Sequence, residues 1–251
     1  MKKLEKKVAV VTGPGSGGIG AEIALEFAKN GADLALLDTN ISGCQSLSKS
    51  IQESGRKALP LKVDTSNYQE VRESFRLIED QYKRLDILVN CAMKIKYDSF
   101  LKLSPEDWGA NIKTGLDGYF YCSQAAARIM VEGKIPGKII HISSIAARSA
   151  HPRSAGYAAA KGGVGALTRV MAFELSSHHI NVNTISPGPV MTPGLKNVLT
   201  DQEMELRRKR IPWGRYGQSQ DVAKLALFLA SDDAEFITGQ EIIIDGGFVL
   251  V

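Results

Sequence analysis

Val8-Ala9-Val10-Val11-Thr12-Gly13-Pro14-Gly15-Ser16-Gly17-Gly18-Ile19-Gly20 is the stretch on which the reading of the whole chain turns. Four apolar residues run into a glycine-rich turn, and a helical pattern begins at Ala21. A strand, a glycine turn and a helix start make an anion site. Glycines let the backbone approach a ligand, and the free N–H groups of a helix N-terminus point at its phosphates. Any tight turn can use glycines, so the weight comes from the position of this one after the first buried strand. The turn puts Gly13, Ser16, Gly18, Ile19 and Gly20 against a phosphate-bearing ligand.

Working outward, the second apolar run ends at Leu37-Asp38, 18 residues past Gly20. A carboxylate there accepts hydrogen bonds from both ribose hydroxyls of an adenosine and repels a 2′-phosphate. Thr39 follows, with no arginine at hand to pair such a phosphate, so NAD is favoured over NADP. Further apolar runs predict strands at Lys7–Val11, Asp33–Leu37, Lys57–Val63, Asp86–Val89, Gly137–Ile142, Ile180–Ile185 and Glu241–Ile244. Helical patterns fall near Gly20–Asn30, Ser42–Ser54, Tyr68–Tyr82, Pro105–Glu132, Gly156–Ser177 and Ser219–Ala230. Runs this apolar, bounded by Gly, Asp or Asn, suit strands buried on both faces, and strand–helix alternation builds a parallel sheet covered by helices. No linker or repeat interrupts the pattern, which predicts a single domain over residues 1–251. Its one irregular stretch, Pro187–Gly217, is rich in Pro and Gly and is expected to be a lid or substrate segment.

The bulk numbers exclude several classes. With 251 residues, 44% hydrophobic and 23% charged, the chain has the composition of a globular protein. Its 31 basic and 27 acidic residues are interspersed and leave a net charge of +4, which does not suggest nucleic-acid binding. The basic run Arg207-Arg208-Lys209-Arg210 reads as the solvated face of a helix. Cys44, Cys91 and Cys122 have no paired or metal-like spacing, which points to a reducing compartment and no metal site. The apolar run Val8–Val11 is too short for a signal segment or a membrane span, so the cytoplasm is expected.

Chemistry concentrates at a second place. Ser143-Ser144 closes the fifth predicted strand, and Tyr157-Ala158-Ala159-Ala160-Lys161 opens the next helix. Residues at i and i+4 share a face, so Lys161 lies beside Tyr157. A phenol with a pKa near ~10 is a poor base at neutral pH, and an ammonium nearby should lower it by roughly 1–3 units. Tyr157 could then exchange a proton with an alcohol oxygen that Ser144 holds, while hydride moves to or from a nicotinamide.

Together these residues resemble the short-chain dehydrogenase/reductase family over essentially the whole length. The resemblance rests on the glycine turn, Asp38, Asp64, Asn90-Cys91-Ala92, Ser144, Tyr157, Lys161, Pro187-Gly188 with Thr192, and Asp245-Gly246-Gly247. It implies a Rossmann-type, doubly wound seven-stranded sheet and a dimer or tetramer, here expected to be a homotetramer packed through the Pro105–Glu132 and Gly156–Ser177 helices. It further implies that Asp64, with Thr65 beside it, meets the adenine and that the backbone near Asn90 and Ala92 passes the ribose. Pro187, Gly188, Val190 and Thr192 would meet the nicotinamide end, and Lys161 would also hold its ribose.

Three departures stand out. Four residues separate Gly13 from Gly18 where the family has three, so the turn is longer by one. Met93 replaces a family glycine and should reshape the pocket wall. Gly115 stands where the family has an asparagine that holds a relay water behind the lysine. Asn111, one turn earlier, could substitute. Otherwise a water sits on the backbone of Gly115, or turnover slows. By resemblance the substrate lies near Lys94, Lys96, Arg148, His151 and Arg153, with Met191 and Trp213 as apolar surfaces, which suggests a small polar or anionic molecule. The alternatives are an NADP-linked 3-oxoacyl or carbonyl reductase, which Asp38 opposes, and a regulatory nucleotide binder with little activity, which Gly115 and Met93 favour.

Overall fold

The computed structural model describes residues 2–196 and 200–250. Seven parallel strands form one sheet. Strands β1 (Val8–Thr12), β2 (Asp33–Asp38), β3 (Ala58–Lys62), β4 (Ile87–Asn90), β5 (Lys138–Ile142) and β6 (Asn181–Pro187) are joined by β9 (Glu241–Ile244), in the order β3-β2-β1-β4-β5-β6-β9. Two short strands outside this sheet, β7 (Val190–Met191) and β8 (Gly217–Gln218), pair in parallel with each other. All seven predicted strands form. The inner strands β1 and β5 are buried along their whole length, because helices cover both faces of the sheet. Edge strand β3 is only partly buried and carries Pro60, which cannot donate to a ladder and is tolerated at an edge.

Helices α1 (Gly18–Lys29), α2 (Ile41–Glu53) and α9 (Ser219–Ala230) cover one face of the sheet. On the other lie α3 (Tyr68–Tyr82), α5 (Gly118–Glu132) and α6 (Ala155–Leu175), with α4 (Pro105–Ile112) leading into α5. Apolar spacing orients them. Helix α1 buries Ile23, Ala24, Phe27 and Ala28, and α3 buries Val71, Phe75 and Ile78, each a one-sided stripe of helical period. The helix predicted over Pro105–Glu132 is one rod interrupted by a π turn, Lys113–Asp117. Within the irregular 187–217 stretch lie β7, a short α7 (Pro193–Lys196) and α8 (Asp201–Lys209). No helix among the described residues is long and apolar enough to cross a membrane.

The strand order sets the site. Strand β1 lies between β2 and β4, so the loops leaving β1 and β4 part in opposite directions and open a crevice at the carboxyl ends of the strands. Thr12 Oγ1 ties these loops together by accepting from the Cys91 and Ala92 N–H groups at 3.0 and 3.1 Å. Gly13 has φ +76°, and a Cβ there would come within 2.6 Å of Ala92 Cα, so only glycine lets the two loops meet this closely.

Candidate active site

The crevice has a volume of about 1750 Å³ and runs from the glycine turn to the 187–217 stretch. At one end, Gly13, Ser16, Gly18, Ile19 and Gly20 line it. Helices α2, α3, α4 and α8 are capped by the side chains of Asn40, Asn67, Ser104 and Thr200. Helix α1 has Gly17 at its cap and no side-chain bond there. Its first N–H groups therefore face the crevice without a side-chain partner, which suits a phosphate. The extra turn residue is accommodated by folding against the end of β2. Gly15 N–H donates to Asp38 Oδ2 at 2.8 Å, and Asn40 Nδ2 donates to the Gly15 carbonyl at 2.9 Å. The second oxygen of Asp38 accepts from Asn40 N–H at 2.9 Å, so the carboxylate is held in place while still lining the crevice.

Asp64, Thr65, Ala92, Pro187, Gly188, Val190 and Thr192 also line this space, as expected from the sequence. Asn90 does not. It is wholly buried, and its amide donates to Ser123 Oγ at 2.9 Å, away from the crevice. The residue faces the helix layer because it ends a strand whose alternate side chains point under α5.

At the other end, Ser144, Tyr157 and Lys161 share the crevice wall. Ser144 follows β5, and its hydroxyl accepts from Ala146 N–H at 3.1 Å. Ser143 Oγ donates to the Lys161 carbonyl at 3.0 Å and so fastens α6 to the end of β5. The Lys161 ammonium turns inward. It donates to the Ile142 carbonyl at 2.8 Å and to Tyr119 Oη at 2.9 Å, and it lies 5.9 Å from the centre of the Tyr157 ring. The expected acidification of Tyr157 is therefore overturned. Burial pushes the phenol up to about 12, with the Ser144 hydroxyl pulling the other way. Burial also brings Lys161 down to about 8.

Residues 15–249 match the family model described as enoyl-(acyl carrier protein) reductase. A 3-oxoacyl-[acyl-carrier-protein] reductase of Thermotoga maritima, FabG, is 35% identical over 99% of this chain and 100% of its own. The chain belongs to the short-chain dehydrogenase/reductase family. Among solved relatives of this short-chain dehydrogenase/reductase is a 7α-hydroxysteroid dehydrogenase complexed with NADH and 7-oxo glycochenodeoxycholic acid. It is 33% identical with a TM-score of 0.93, covering 98% of this chain and 95% of that one. Another, from Agrobacterium tumefaciens with bound NADP, is 31% identical with a TM-score of 0.91, covering 99% and 98%. The chain is thus an oxidoreductase of a family that works with a nicotinamide dinucleotide, and its relatives are found with either form.

Two of the departures from the short-chain dehydrogenase/reductase pattern prove to be one. Gly115 lies in the π turn, and a Cβ on it would come within 2.5 Å of Met93 Sδ and 3.2 Å of Ala160 Cβ. Met93 fills the volume that Gly115 leaves. Asn111 does not take over a relay role. It is wholly buried, its amide donates to the Lys96 and Asp107 carbonyls at 3.0 and 2.9 Å, and its Oδ1 accepts from Lys96 N–H at 3.2 Å. Both amide hydrogens and one acceptor position go to pinning the segment after β4.

Of the residues predicted for substrate, Lys94, His151 and Arg153 line the crevice. Trp213 does not. It is 74% exposed, and its N–H donates to the Gly246 carbonyl at 3.1 Å, because the chain turns outward after Ile211. Lys96 lies 4.0 Å from Asp107, and Arg148 pairs with Glu241 at 2.7 Å, so neither reaches the site. Met191 packs beside the Ile145, Ile211, Tyr216 and Phe248 cluster. The basic run is not a uniform solvated face. Arg208 pairs with Glu205, Arg210 lies over the Phe248 ring, and Arg207 lines the crevice. Sequence reading also passed over Tyr97, whose ring meets that of Tyr157 edge-on at 6.1 Å. Neither Tyr97 nor Arg207 belongs to a motif, and only the chain's return to the crevice reveals them.

Proposed function

We propose that this chain is an NAD-dependent dehydrogenase that interconverts a secondary alcohol and a ketone. The observation that carries this reading is a single crevice that joins an uncapped helix N-terminus and Asp38 to Ser144, Tyr157 and Lys161. The turn N–H groups and the end of α1 would hold the pyrophosphate. The Asp38 carboxylate would accept from the adenosine ribose, and the cations lining the crevice (Lys94, Lys113, Arg153, Lys161 and Arg207) come from other segments, which leaves a 2′-phosphate without a partner. The bound nicotinamide supplies the hydride acceptor or donor. Ser144 would hold the substrate oxygen, and Tyr157 would give or take its proton. Lys161, charged below about pH 8, would hold the ribose.

Lys94, Arg153 and Arg207 support a substrate that carries an anionic group away from its carbinol, with Tyr97 as an apolar wall beside Tyr157. The 187–217 stretch, closed at its base by the β7–β8 pair, would act as its lid. Phe120, Val170 and Phe173 stand exposed on α5 and α6, which supports assembly into a tetramer through these helices. The three free cysteines fit the reducing cytoplasm.

The test is to titrate the protein with NAD and NADP and then screen neutral and acidic secondary alcohols, hydroxyacyl thioesters included, for reduced cofactor. NAD should bind more tightly, acidic alcohols should show the lower KM, and Tyr157→Phe should bind NAD but lose roughly 10²–10⁴-fold in kcat. NAD binding with no turnover of any alcohol or ketone would instead favour the regulatory reading.

A further inference from the structure

Lys161 is 3% exposed, and no carboxylate among the described residues pairs with its amine. The groups that face it are Tyr157 on its own helix, Cys91 from the loop after β4, His141 on β5 and Tyr119 on α5. Among the described residues, Tyr119 and the Ile142 carbonyl accept its protons, at 2.9 and 2.8 Å. Tyr119 is itself fully buried and gives its own proton to the same Ile142 carbonyl at 3.0 Å, so its oxygen lone pairs are turned to the amine. The ammonium also lies 4.5 Å from the centre of the Tyr119 ring, within reach of the negative face of its π system. Just before Tyr119 on the same rod, Gly115 offers no side chain, and Met93 and Ala160 fill the space beside it. From this rod, the polar partner of Lys161 is therefore Tyr119.

We propose that Tyr119 is a positioning residue for Lys161, its hydroxyl holding the ammonium from behind so that one N–H remains for the crevice. This rests on the role given to Lys161 above and adds the group that keeps it charged and in place. Loss of the hydroxyl leaves the buried ammonium one acceptor short. Its deprotonation then occurs at lower pH, by on the order of one unit, while the ring and its packing persist in Tyr119→Phe.

The deciding measurement is the titration of the Lys161 side-chain resonance in protein grown on ¹³C-lysine, assigned with Lys161→Met and compared between the parent and Tyr119→Phe. A midpoint that falls in the variant supports the assignment. An unchanged midpoint overturns it, whatever the enzyme turns over. Should Tyr119→Phe fail to fold, 3-fluorotyrosine at position 119 keeps the shape but is a poorer acceptor and must move the midpoint the same way. In turnover, Tyr119→Phe should lower kcat and bring the alkaline limb of its pH profile to lower pH while KM holds. A shifted Lys161 midpoint in a protein that turns over no alcohol or ketone would count against the dehydrogenase proposed above and leave the role of Tyr119 standing.

Discussion

At the scale of single residues, Met93 and Gly115 exchange volume, and the exchange is measurable. A methyl at position 115 must displace the Met93 thioether or press on Ala160, whereas in a Met93→Gly background the room is free. Gly115→Ala and Met93→Gly should therefore be non-additive in urea unfolding, with a favourable interaction energy of about 0.5–2 kcal/mol in the double variant. Additive costs would mean that Met93 swings clear at no expense. The same pair shows where sequence reading stops. Each residue is visible as a departure from the family pattern, but two positions 22 apart are matched only once the π turn brings them face to face. Tyr119 is similar. Its flanking Gly118 and Phe120 make it look like a core aromatic, which it is, and its hydroxyl gains a role only because Lys161 turns inward.

At the scale of elements, the sheet is threaded by a buried polar chain. Asn90 donates to Ser123, Ser123 meets His141 Nε2 at 3.1 Å, His141 Nδ1 meets Thr168 at 2.8 Å, and Thr168 meets Thr184 at 2.7 Å. With the Thr168 proton on the Val164 carbonyl, His141 donates from Nδ1 and accepts at Nε2, as a neutral ring. Burial lowers its pKa to about 3, with Lys161 adding to the effect. Between about 3 and the ordinary 6.5 the unfolded chain binds a proton that the folded chain refuses, so stability present above pH 6.5 is lost as pH falls through this window. His141→Gln, which keeps a donor and an acceptor, should make the urea midpoint fall less steeply between about pH 6.5 and 4. An unchanged slope would place the acid sensitivity elsewhere. The strands themselves were legible because they are apolar along both faces. The polar chain within β4, β5 and β6 was not, since a His or Thr inside an apolar run carries no sign of its partner on a neighbouring strand. The direction of the Asn90 side chain was hidden for the same reason, as the local pattern does not tell which side of the sheet a strand's last residue faces.

At the scale of the whole molecule, the outer surface of the α5–α6 layer carries Phe120, Val170 and the 84% exposed Phe173. Apolar area of this kind is removed from water when copies associate. Phe173→Glu should reduce the sedimenting mass to a smaller assembly with unchanged far-ultraviolet circular dichroism. A parent protein that sediments as a monomer would dispose of the interface. Here the sequence revealed only that the helices have small apolar faces. Which side chains stay uncovered depends on how the sheet takes up the rest.

The two-residue pairing of Val190–Met191 with Gly217–Gln218 has a consequence for how such a protein can diverge. The segment between them enters and leaves at adjacent points, so its exposed part can change while Ile211 and Tyr216, buried against Ile145 and Phe248, anchor its return. It behaves as a cassette. Grafting residues 193–216 from one relative into another should change which alcohol is accepted and leave the NAD-over-NADP preference as it was, provided that Pro193, which packs against Gly17 and Gly18, is kept.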